Sequence, residues 1–376
     1  MRALNIHAGP TARRHMERHG LQAGDVATVP GAAGGPKGLI LGRLDQFIFG
    51  EWLTQSCQTV DLVGASIGAW RMATACLNDP AQAFERLEHD YIRQNFELRP
   101  GEKRPPAERV SAMFGENLKA FYGGRVDEVL HHPRYRLHII TSRGRHVLNR
   151  EAAWRTPLGY LGAFVTNTVH RKAMGAWLER VVFSTGEGAL PFATQDYRTR
   201  ALKLTEANFQ PALQASCSIP FALRAVHHIP GAPPGAYWDG GLTDYHLHLN
   251  YPGRSSAIET VAARAEEERA GASKGLVIYP HFQSTVVPGW LDKHLRWRHK
   301  STHFLDNMVV LSPHPDWVKT LPNGKLPDRV DFTHYGTDLA GRMKAWSAAT
   351  AASMQLVDEF QAWLARPDMA QVQALA

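Results

Sequence analysis

The sequence is poor in residues that build cross-linked or metal-stabilised scaffolds. Only three of its 376 residues are cysteines (Cys57, Cys76 and Cys217), and no two of them form a Cys-x-x-Cys pair. An odd number of scattered cysteines argues against a disulfide framework or a zinc ribbon and is typical of a reducing cytoplasm. Nineteen histidines occur without a His-Glu-x-x-His motif, so we expect neither a metal nor a cofactor.

Long hydrophobic runs are also missing. No stretch approaches the roughly 18 consecutive apolar residues of a membrane-spanning helix, and the N-terminal residues lack the apolar segment of a signal peptide. We therefore expect a cytoplasmic protein that touches membranes only peripherally. The net charge of +7 weakly favours anionic partners, such as a membrane surface or a phosphorylated substrate. We expect no nucleic-acid partner, and the oligomeric state stays open.

The most informative segment present is Gly64-Ala65-Ser66-Ile67-Gly68. A short apolar run, Val60 to Val63, precedes it, and helix-forming residues follow it to Leu77. A serine between a strand and a helix with small flanking residues is the context of a nucleophile elbow. Gly64 and Gly68 would give the turn its space, and the helix N-terminus would face the charge that develops on an attacked carbonyl. The alternative is a structural glycine-rich turn with an incidental serine.

A second glycine-rich segment, Gly31 to Gly38, follows a predicted strand at Asp25–Pro30 and precedes a predicted helix at Leu39–Trp52. It is not a phosphate-binding P-loop, because Lys37 lies between Pro36 and Gly38, and its spacing does not fit a dinucleotide site. Free N–H groups in such a turn can bind an anion, which makes it a candidate oxyanion hole. A purely structural turn is the alternative.

Two later motifs complete the candidate site. Gln214–Phe221 reads as a helix of small residues that ends at Pro220, and Asp239-Gly240-Gly241 follows two aromatic residues. Asp-Gly-Gly alone is common in ordinary turns. An exposed aspartate, with a pKa of about 3.9, is a weak base, but Tyr237 and Trp238 could provide an apolar setting that raises this pKa.

The ordered set of four motifs resembles the patatin-like phospholipase family over roughly residues 22–250. The motifs are Gly34-Gly35-x-Lys37-Gly38, Gly64-x-Ser66-x-Gly68, Ala215-Ser216-x-Ser218-x-Pro220 and Asp239-Gly240-Gly241. The resemblance implies an α/β fold, a three-layer α/β/α sandwich with a mainly parallel central sheet. It also implies a catalytic dyad without histidine.

Carried onto this sequence, the resemblance makes Ser66 the nucleophile and Asp239 its base. Gly34, Gly35, Lys37 and Gly38 would belong to the oxyanion-hole loop, Gly64 and Gly68 to the nucleophile elbow, and Gly240 and Gly241 to the acid loop. The sequence departs from the family pattern in two places. Ala33 stands where many members have a third glycine, and Tyr245 and Leu247 replace an Asn-x-Pro pattern.

The predicted function is hydrolysis of carboxylic ester bonds of lipids, as a phospholipase A or lipid acyl hydrolase. An esterase or thioesterase for soluble substrates is one alternative. A non-catalytic lipid or anion binder is another, although such a binder would need neither Ser66 nor Asp239. A Ser-Asp-His triad also stays open, with the candidate histidines His246, His248, His281, His303 and His314.

We predict a catalytic domain over residues 1–285, with a helical insertion at about 80–180, and a mostly helical C-terminal extension over 286–376. Further predicted elements are an edge strand at 3–6, strands at 135–141, 181–184 and 275–280, helices at 166–180 and 256–270, and one long helix or a broken pair at 338–366.

The segment 286–300 is a candidate docking site for anionic membranes, because Trp290 and Trp297 lie among Lys293, Lys300 and two arginines. A basic surface loop with inward-packed tryptophans is slightly favoured, because the tryptophans share no clean helical face.

Overall fold

A computed structural model describes residues 1–96, 99–102, 105–152, 154–251 and 275–375. Ten strands in this part of the chain form one sheet. They are β1 (Leu4–Ala8), β2 (Val26–Gly31), β3 (Val60–Ala65), β4 (Tyr135–Gly144), β5 (Leu178–Ser184), β6 (Thr199–Lys203), β7 (Tyr237–Trp238), β8 (Leu276–Pro280), β9 (Met308–Pro313) and β10 (Val372–Ala374).

The strands lie in the order β10-β1-β9-β8-β2-β3-β4-β5-β6, and the short β7 pairs with the end of β4. The central run from β9 to β4 is parallel throughout. Antiparallel pairs join β1 to β9 and β5 to β4. The predicted α/β sandwich with a mainly parallel sheet is confirmed. Because β2 and β3 are in register at Gly31 and Gly64, the loops that follow them leave the same edge of the sheet.

Helices pack against this sheet. They are α1 (Pro10–His19), α2 (Gly42–Phe47), α3 (Ile67–Ala75), α4 (Pro80–Arg93), α5 (Ala107–Tyr122), α6 (Val126–Leu130), α7 (Arg155–Val169), α8 (Glu206–Ser216), α9 (Pro315–Val318), α10 (Val330–Tyr335), α11 (Leu339–Ala352) and α12 (Met354–Ala365). For the site, the important contacts are those of α3 with β2 and β3 and of α8 with β4. Nine consecutive residues of α3 are buried, so this helix lies inside the protein and not on its surface.

Several predicted elements differ from the structure in the first half of the chain. The strand predicted at the sheet edge is β1, which lies between β10 and β9. The predicted helix at Leu39–Trp52 is divided into a 3-10 segment (Gly35–Leu41), α2 and a π-helical turn (Ile48–Trp52). The glycines at positions 42 and 50 weaken a continuous α-helix there.

The middle of the chain is not simply a helical insertion. The predicted helix at 166–180 is wrong, because α7 ends at Val169 and β5 begins at Leu178. All seven residues of β5 are buried, and its Val-Val-Phe run favours a central strand. Since β4 lies within 80–180 and β5 begins at Leu178, this region supplies part of the sheet. The helix predicted to end at Pro220 ends earlier, at Ser216.

The C-terminal region also contributes to the sheet. Besides its helices, the region after residue 285 supplies two strands: β9 lies between β1 and β8, and β10 pairs with β1. The region 338–366 is a broken pair of helices, α11 and α12. The helix predicted at 256–270 lies outside the described residues. The domain boundary at residue 285 stays a prediction.

Candidate active site

Ser66 lies at a sharp turn between β3 and α3. Its φ of 57° and ψ of −130° are unusual for a residue with a side chain, and such strain is often found at functional sites. The turn is tight because the strand and helix almost touch. A Cβ atom on Gly64 would lie 2.4 Å from Ala69 Cα, so only glycine fits there. The local geometry is that of a nucleophile elbow.

Gly68 explains how the elbow is joined to the glycine loop that follows β2. A Cβ atom on Gly68 would lie 1.8 Å from the carbonyl oxygen of Gly31, and one on Gly31 would lie 2.7 Å from the carbonyl oxygen of Gly68. The two backbones are therefore in direct contact without side chains between them. This contact fixes the glycine loop next to Ser66.

Ser66 and Asp239 are in direct contact, although they lie far apart in the sequence. The Ser66 hydroxyl donates a 2.7 Å hydrogen bond to Asp239 Oδ2. The other carboxylate oxygen, Oδ1, accepts a 2.7 Å bond from the Gly241 N–H, and the Asp239 N–H donates to the carbonyl of Ser218. Gly240 has no room for a side chain, since a Cβ would lie 2.2 Å from the Ile140 carbonyl oxygen. The acid loop thus holds the carboxylate in one orientation.

The environment of Asp239 makes it a stronger base than an exposed aspartate. Its side chain is 6 % exposed, and burial raises its pKa above the ordinary value of 3.8. The Ser66 hydrogen bond and the positive charge of Arg329 act in the opposite direction on this pKa. Tyr237 and Trp238, which precede the acid in the chain, are fully buried, and their effect on the pKa of Asp239 stays a prediction.

Ser216 supports the elbow from behind, a role that sequence reasoning did not assign to it. Its hydroxyl accepts a 3.0 Å hydrogen bond from the Ser66 N–H and donates a 2.7 Å bond to the Ile140 carbonyl. The third motif therefore contacts both catalytic candidates: Ser216 binds the backbone of Ser66, and Ser218 binds that of Asp239. Small residues before Pro220 were the only signal in the sequence.

The glycine loop offers unused backbone donors near Ser66. In the part of the chain that the structure describes, the N–H groups of Gly34, Gly35 and Ile67 donate to no protein acceptor. Gly35 has a φ of 59°, which favours glycine, and Gly35 and Ile67 line the same cavity as Ser66. Free N–H groups beside a nucleophile are what an oxyanion hole requires.

Gly38 and Lys37 have different surroundings. A Cβ on Gly38 would lie 3.0 Å from Ile67 Cγ1, so its smallness allows the loop to pack on the elbow helix. Lys37 Nζ lies 5.4 Å from the ring centre of Phe282, and Lys37 is not among the residues that line the cavity. Burial is the main cause that lowers its pKa. The catalytic role of each loop residue stays a prediction.

A cavity of about 210 Å³ opens above Ser66. Apolar side chains from α3, α4, α5 and the segment after α8 form most of its wall, which includes Trp70, Tyr91, Phe96, Val110, Phe114, Ile219 and Leu223. Two further residues, Arg329 and Phe332, come from the start of α10. Sequence reasoning missed both, because they lie outside every motif.

The candidate histidines have other partners. His246 contacts the backbone of Thr285 and Val287, and His248 contacts Val286 and Thr302. Burial is the main cause that lowers the pKa of His246, His248 and His281. Within the described ranges, no histidine hydrogen-bonds to Ser66 or Asp239. The direct serine–aspartate contact therefore favours the dyad over the triad.

Comparison with protein-family models gives a match to the patatin-like phospholipase model over residues 34–246, which is more than half of the chain. The match begins at the glycine loop and ends beyond the acid loop, so it contains every motif of the candidate site. No curated protein gives a significant match. Among the described residues, no helix has both the length and the apolar character needed to span a membrane.

Proposed function

Because the chain belongs to the patatin-like phospholipase family, a family of lipid acyl hydrolases, we propose that it hydrolyses carboxylic ester bonds of lipids, with Ser66 as nucleophile and Asp239 as general base. The observation that carries this proposal is the 2.7 Å hydrogen bond between the Ser66 hydroxyl and Asp239 Oδ2. It joins a strained, buried serine to a buried carboxylate at the base of an apolar cavity.

The first half-reaction transfers the acyl group to the enzyme. Ser66 Oγ attacks the ester carbonyl carbon while Asp239 takes the hydroxyl proton. Negative charge moves to the carbonyl oxygen, where the free N–H groups of Gly34 and Gly35 would stabilise it. The bond between the acyl carbon and the alcohol oxygen then breaks, and Asp239 returns the proton to the leaving alcohol. The product is an acyl-serine.

The second half-reaction releases the acid. A water molecule attacks the acyl-serine carbonyl, and Asp239 takes its proton. The same backbone donors stabilise the second oxyanion, and Ser66 regains its proton as the carboxylic acid leaves. A raised pKa helps Asp239 in both steps, because the best base has a pKa near the working pH.

A lipid substrate fits the chemistry of the cavity wall. Apolar side chains surround the space above Ser66, and burying an acyl chain there removes apolar surface from water. The soluble-ester alternative predicts a different preference. A soluble esterase would not need the acyl chain to extend into this apolar space, and its catalytic efficiency would change little with chain length.

The experiment combines active-site labelling with a substrate series. A fluorophosphonate probe should modify Ser66 in the wild type, as located by peptide mass spectrometry, and should not label Ser66→Ala. Ser218→Ala, which alters a serine outside the dyad, is the matched control and should still be labelled. Phospholipids and p-nitrophenyl esters of increasing chain length should show kcat/KM rising with chain length.

Labelling of a different serine would contradict the proposed nucleophile. A flat chain-length profile with no phospholipid hydrolysis would favour the soluble-ester alternative. Absence of both labelling and hydrolysis in a folded protein would favour the non-catalytic binder.

A further inference from the structure

Three cations surround the candidate site without carboxylate partners. Arg329 lines the cavity that contains Ser66, and a Cβ on Gly35 would lie 3.0 Å from Arg329 Nε. Lys293 Nζ lies 4.2 Å from the ring centre of Tyr245, and Lys37 lies over Phe282. Among the described residues, none of these three side chains forms an ion pair or a side-chain hydrogen bond.

The two aromatic rings link these cations to the catalytic loops. Tyr245 Cδ2 would be 3.3 Å from a Cβ on Gly241, and Phe282 Cε1 would be 2.4 Å from a Cβ on Gly34. Lys293 therefore stands on the acid-loop side and Lys37 on the oxyanion-loop side, while Arg329 faces the cavity. Burial is the main cause that lowers the pKa of Lys293 to about 8, and the positive charges of Arg329 and Lys37 lower it further. Such mutual repulsion is relieved when an anion binds.

Local acids balance this cluster only in part, because the negative charge of Asp328 acts on Lys37 and that of Asp239 acts on Lys293. Asp328, the residue before Arg329, binds Lys325 and the N–H of Val330. Asp239 is the carboxylate of the proposed dyad, and its two oxygens accept hydrogen bonds from Ser66 and Gly241. A guanidinium and two ammonium groups suit a phosphate, because a guanidinium can bind two of its oxygens at once. A quaternary ammonium headgroup would meet like charge instead.

We propose that Arg329, Lys293 and Lys37 form a subsite for the phosphate of a lipid substrate, and that it selects headgroups with net negative charge over zwitterionic ones. This inference rests on the proposed hydrolase function. Two of the three cations, Arg329 and Lys293, follow the family-matched region, whereas Lys37 and the residues proposed for ester cleavage lie within it. The acyl chain would occupy the apolar cavity, and the phosphate would lie at its mouth.

The test compares two monomeric substrates with identical dihexanoyl chains, a phosphatidate and a phosphatidylcholine, below their micelle concentrations. The wild type should prefer the phosphatidate. Arg329→Gln should lower the phosphatidate-to-phosphatidylcholine ratio of kcat/KM about tenfold, since hydrogen bonds to charged groups have large effects. Lys293→Gln should lower the ratio less, because Arg329 lines the cavity and Lys293 is not among its lining residues. Lys319→Gln removes an exposed surface charge and is the matched control.

Inorganic phosphate distinguishes binding of a free ion from binding of a substrate headgroup. If the subsite acts on substrate, phosphate should inhibit phosphatidate hydrolysis competitively and weakly. An unchanged substrate ratio in active Arg329→Gln would overturn the subsite while leaving the dyad intact. Activity that persists in Ser66→Ala would instead overturn the proposed hydrolase mechanism.

A second, independent observation concerns the outer face of α7. Leu158, Leu161, Val165 and Val169 are between 52 % and 82 % exposed, and at 100° per residue they lie within an arc of about 80°. Trp154, just before the helix, continues the same arc and is also exposed. This apolar stripe extends for about 22 Å along the helix. Exposed apolar patches of this kind mark interaction surfaces.

The surroundings of the stripe indicate what would cover it. α7 contains one charged residue, Arg155, and no acidic residue. Its C-terminal end contacts the turn that carries the exposed Trp297, because Arg298 binds Asn167 and the Thr168 carbonyl. In the described part of the chain, three exposed cations close to this end have no ion-pair partner: Lys172, Arg296 and Lys300. Tryptophans at both ends and flanking cations suit the headgroup region of an anionic bilayer.

The stripe is also next to the cavity. Tyr160, on the inner face of α7, contacts Phe221 and Trp238, with ring centres 5.9 Å and 6.1 Å apart. Phe221 is exposed and lies between Ile219 and Ala222, two residues of the cavity wall.

We infer that the α7 stripe and Trp297 dock the protein on an anionic membrane beside its active-site mouth. This inference also rests on the proposed lipid hydrolase function. It moves the candidate docking site from the segment 286–300 to α7 and Trp297, because Trp290 is half-buried and packs against the core.

Co-sedimentation with vesicles of phosphatidylcholine and phosphatidylglycerol tests the docking. The wild type should bind at low salt and release as salt rises. Leu161→Gln combined with Val165→Gln should reduce binding at least tenfold and lower the ratio of vesicle hydrolysis to soluble-ester hydrolysis. Met354→Gln, which changes another exposed apolar side chain, is the matched control. Unchanged vesicle binding in the double variant would overturn the proposal. A wild-type dimer that dissociates in the double variant while vesicle binding stays unchanged would also overturn the proposal, because a second copy of the chain would then cover the stripe.

Discussion

Backbone forms one side of the cavity around Ser66, and side chains form the other. The inner side, formed by the glycine loop, the elbow and the acid loop, consists of backbone segments so close that Gly31 and Gly68 leave no room for a Cβ. The outer side, which includes Arg329 and Phe332 from the start of α10, consists of long side chains. The proposed chemistry needs atoms fixed within tenths of an ångström, whereas substrate selection can depend on side chains that change without disturbing the backbone.

The largest expected effect comes from inserting a methyl group on the inner side. Gly68→Ala would place Cβ 1.8 Å from the Gly31 carbonyl oxygen, and backbone cannot move aside as a side chain can. We expect the free energy of unfolding to fall by about 3 kcal/mol or more, measured by urea denaturation. Gly24→Ala is the matched control, since its Cβ would meet only Ser56 Oγ at 3.8 Å. Equal stability of the two variants would show that the backbones are not in contact.

The inner side could be predicted largely from the sequence because its signals are local. Glycine-x-serine-x-glycine between a strand and a helix defines the elbow within five residues, and the family resemblance supplied Asp239. The contact between Ser216 and Ser66 joins residues 150 positions apart, and the hydrophobic periodicity of a single sequence does not predict contacts between such distant residues. Arg329 was missed for the same reason. β5 was partly mistaken for helix, since the residues before its Val-Val-Phe run do not favour a strand.

A substitution in the glycine loop tests whether the inner side takes part in chemistry. Gly35→Val should reduce kcat by about a hundredfold to a thousandfold, the effect of losing one oxyanion donor of roughly 2.7–4 kcal/mol, and change KM much less. Steady-state kinetics on a soluble ester measures both constants. Because Gly35 has a positive φ, Gly35→Asn, which tolerates that conformation better, serves as the control for strain. A folded Gly35→Val protein with normal kcat would leave the loop a structural turn.

A smaller effect is expected behind the elbow. Ser216→Ala removes the acceptor of the Ser66 N–H and one donor to the Ile140 carbonyl. We expect a loss of about 1–3 kcal/mol in stability and a drop in kcat, because Ser66 is less firmly positioned. Thermal unfolding and single-turnover kinetics measure the two effects. Ser218→Ala, which loses a bond to the Gln214 carbonyl, should change kcat less; the reverse order would contradict the role assigned to Ser216.

The smallest expected effect concerns the charge interaction between Arg329 on the outer side and Asp239 on the inner side. Asp239 must be ionised to act as a base, so kcat/KM should rise with pH through its pKa, which burial holds above 3.8. The positive charge of Arg329 favours the ionised form and lowers this pKa. Removing that charge in Arg329→Gln should therefore shift the acid limb of the pH profile to higher pH. Measurement on a neutral ester isolates the effect; a shift to lower pH would contradict the arrangement.

The most direct test of the central claim is a double-mutant cycle on the dyad. Ser66→Ala, Asp239→Asn and the double variant should be compared by kcat on a soluble ester, with folding checked by circular dichroism. If the 2.7 Å hydrogen bond joins a nucleophile to its base, each single variant should lose nearly all activity and the double variant should be little worse. Full activity in Asp239→Asn, or losses that simply add, would contradict the account.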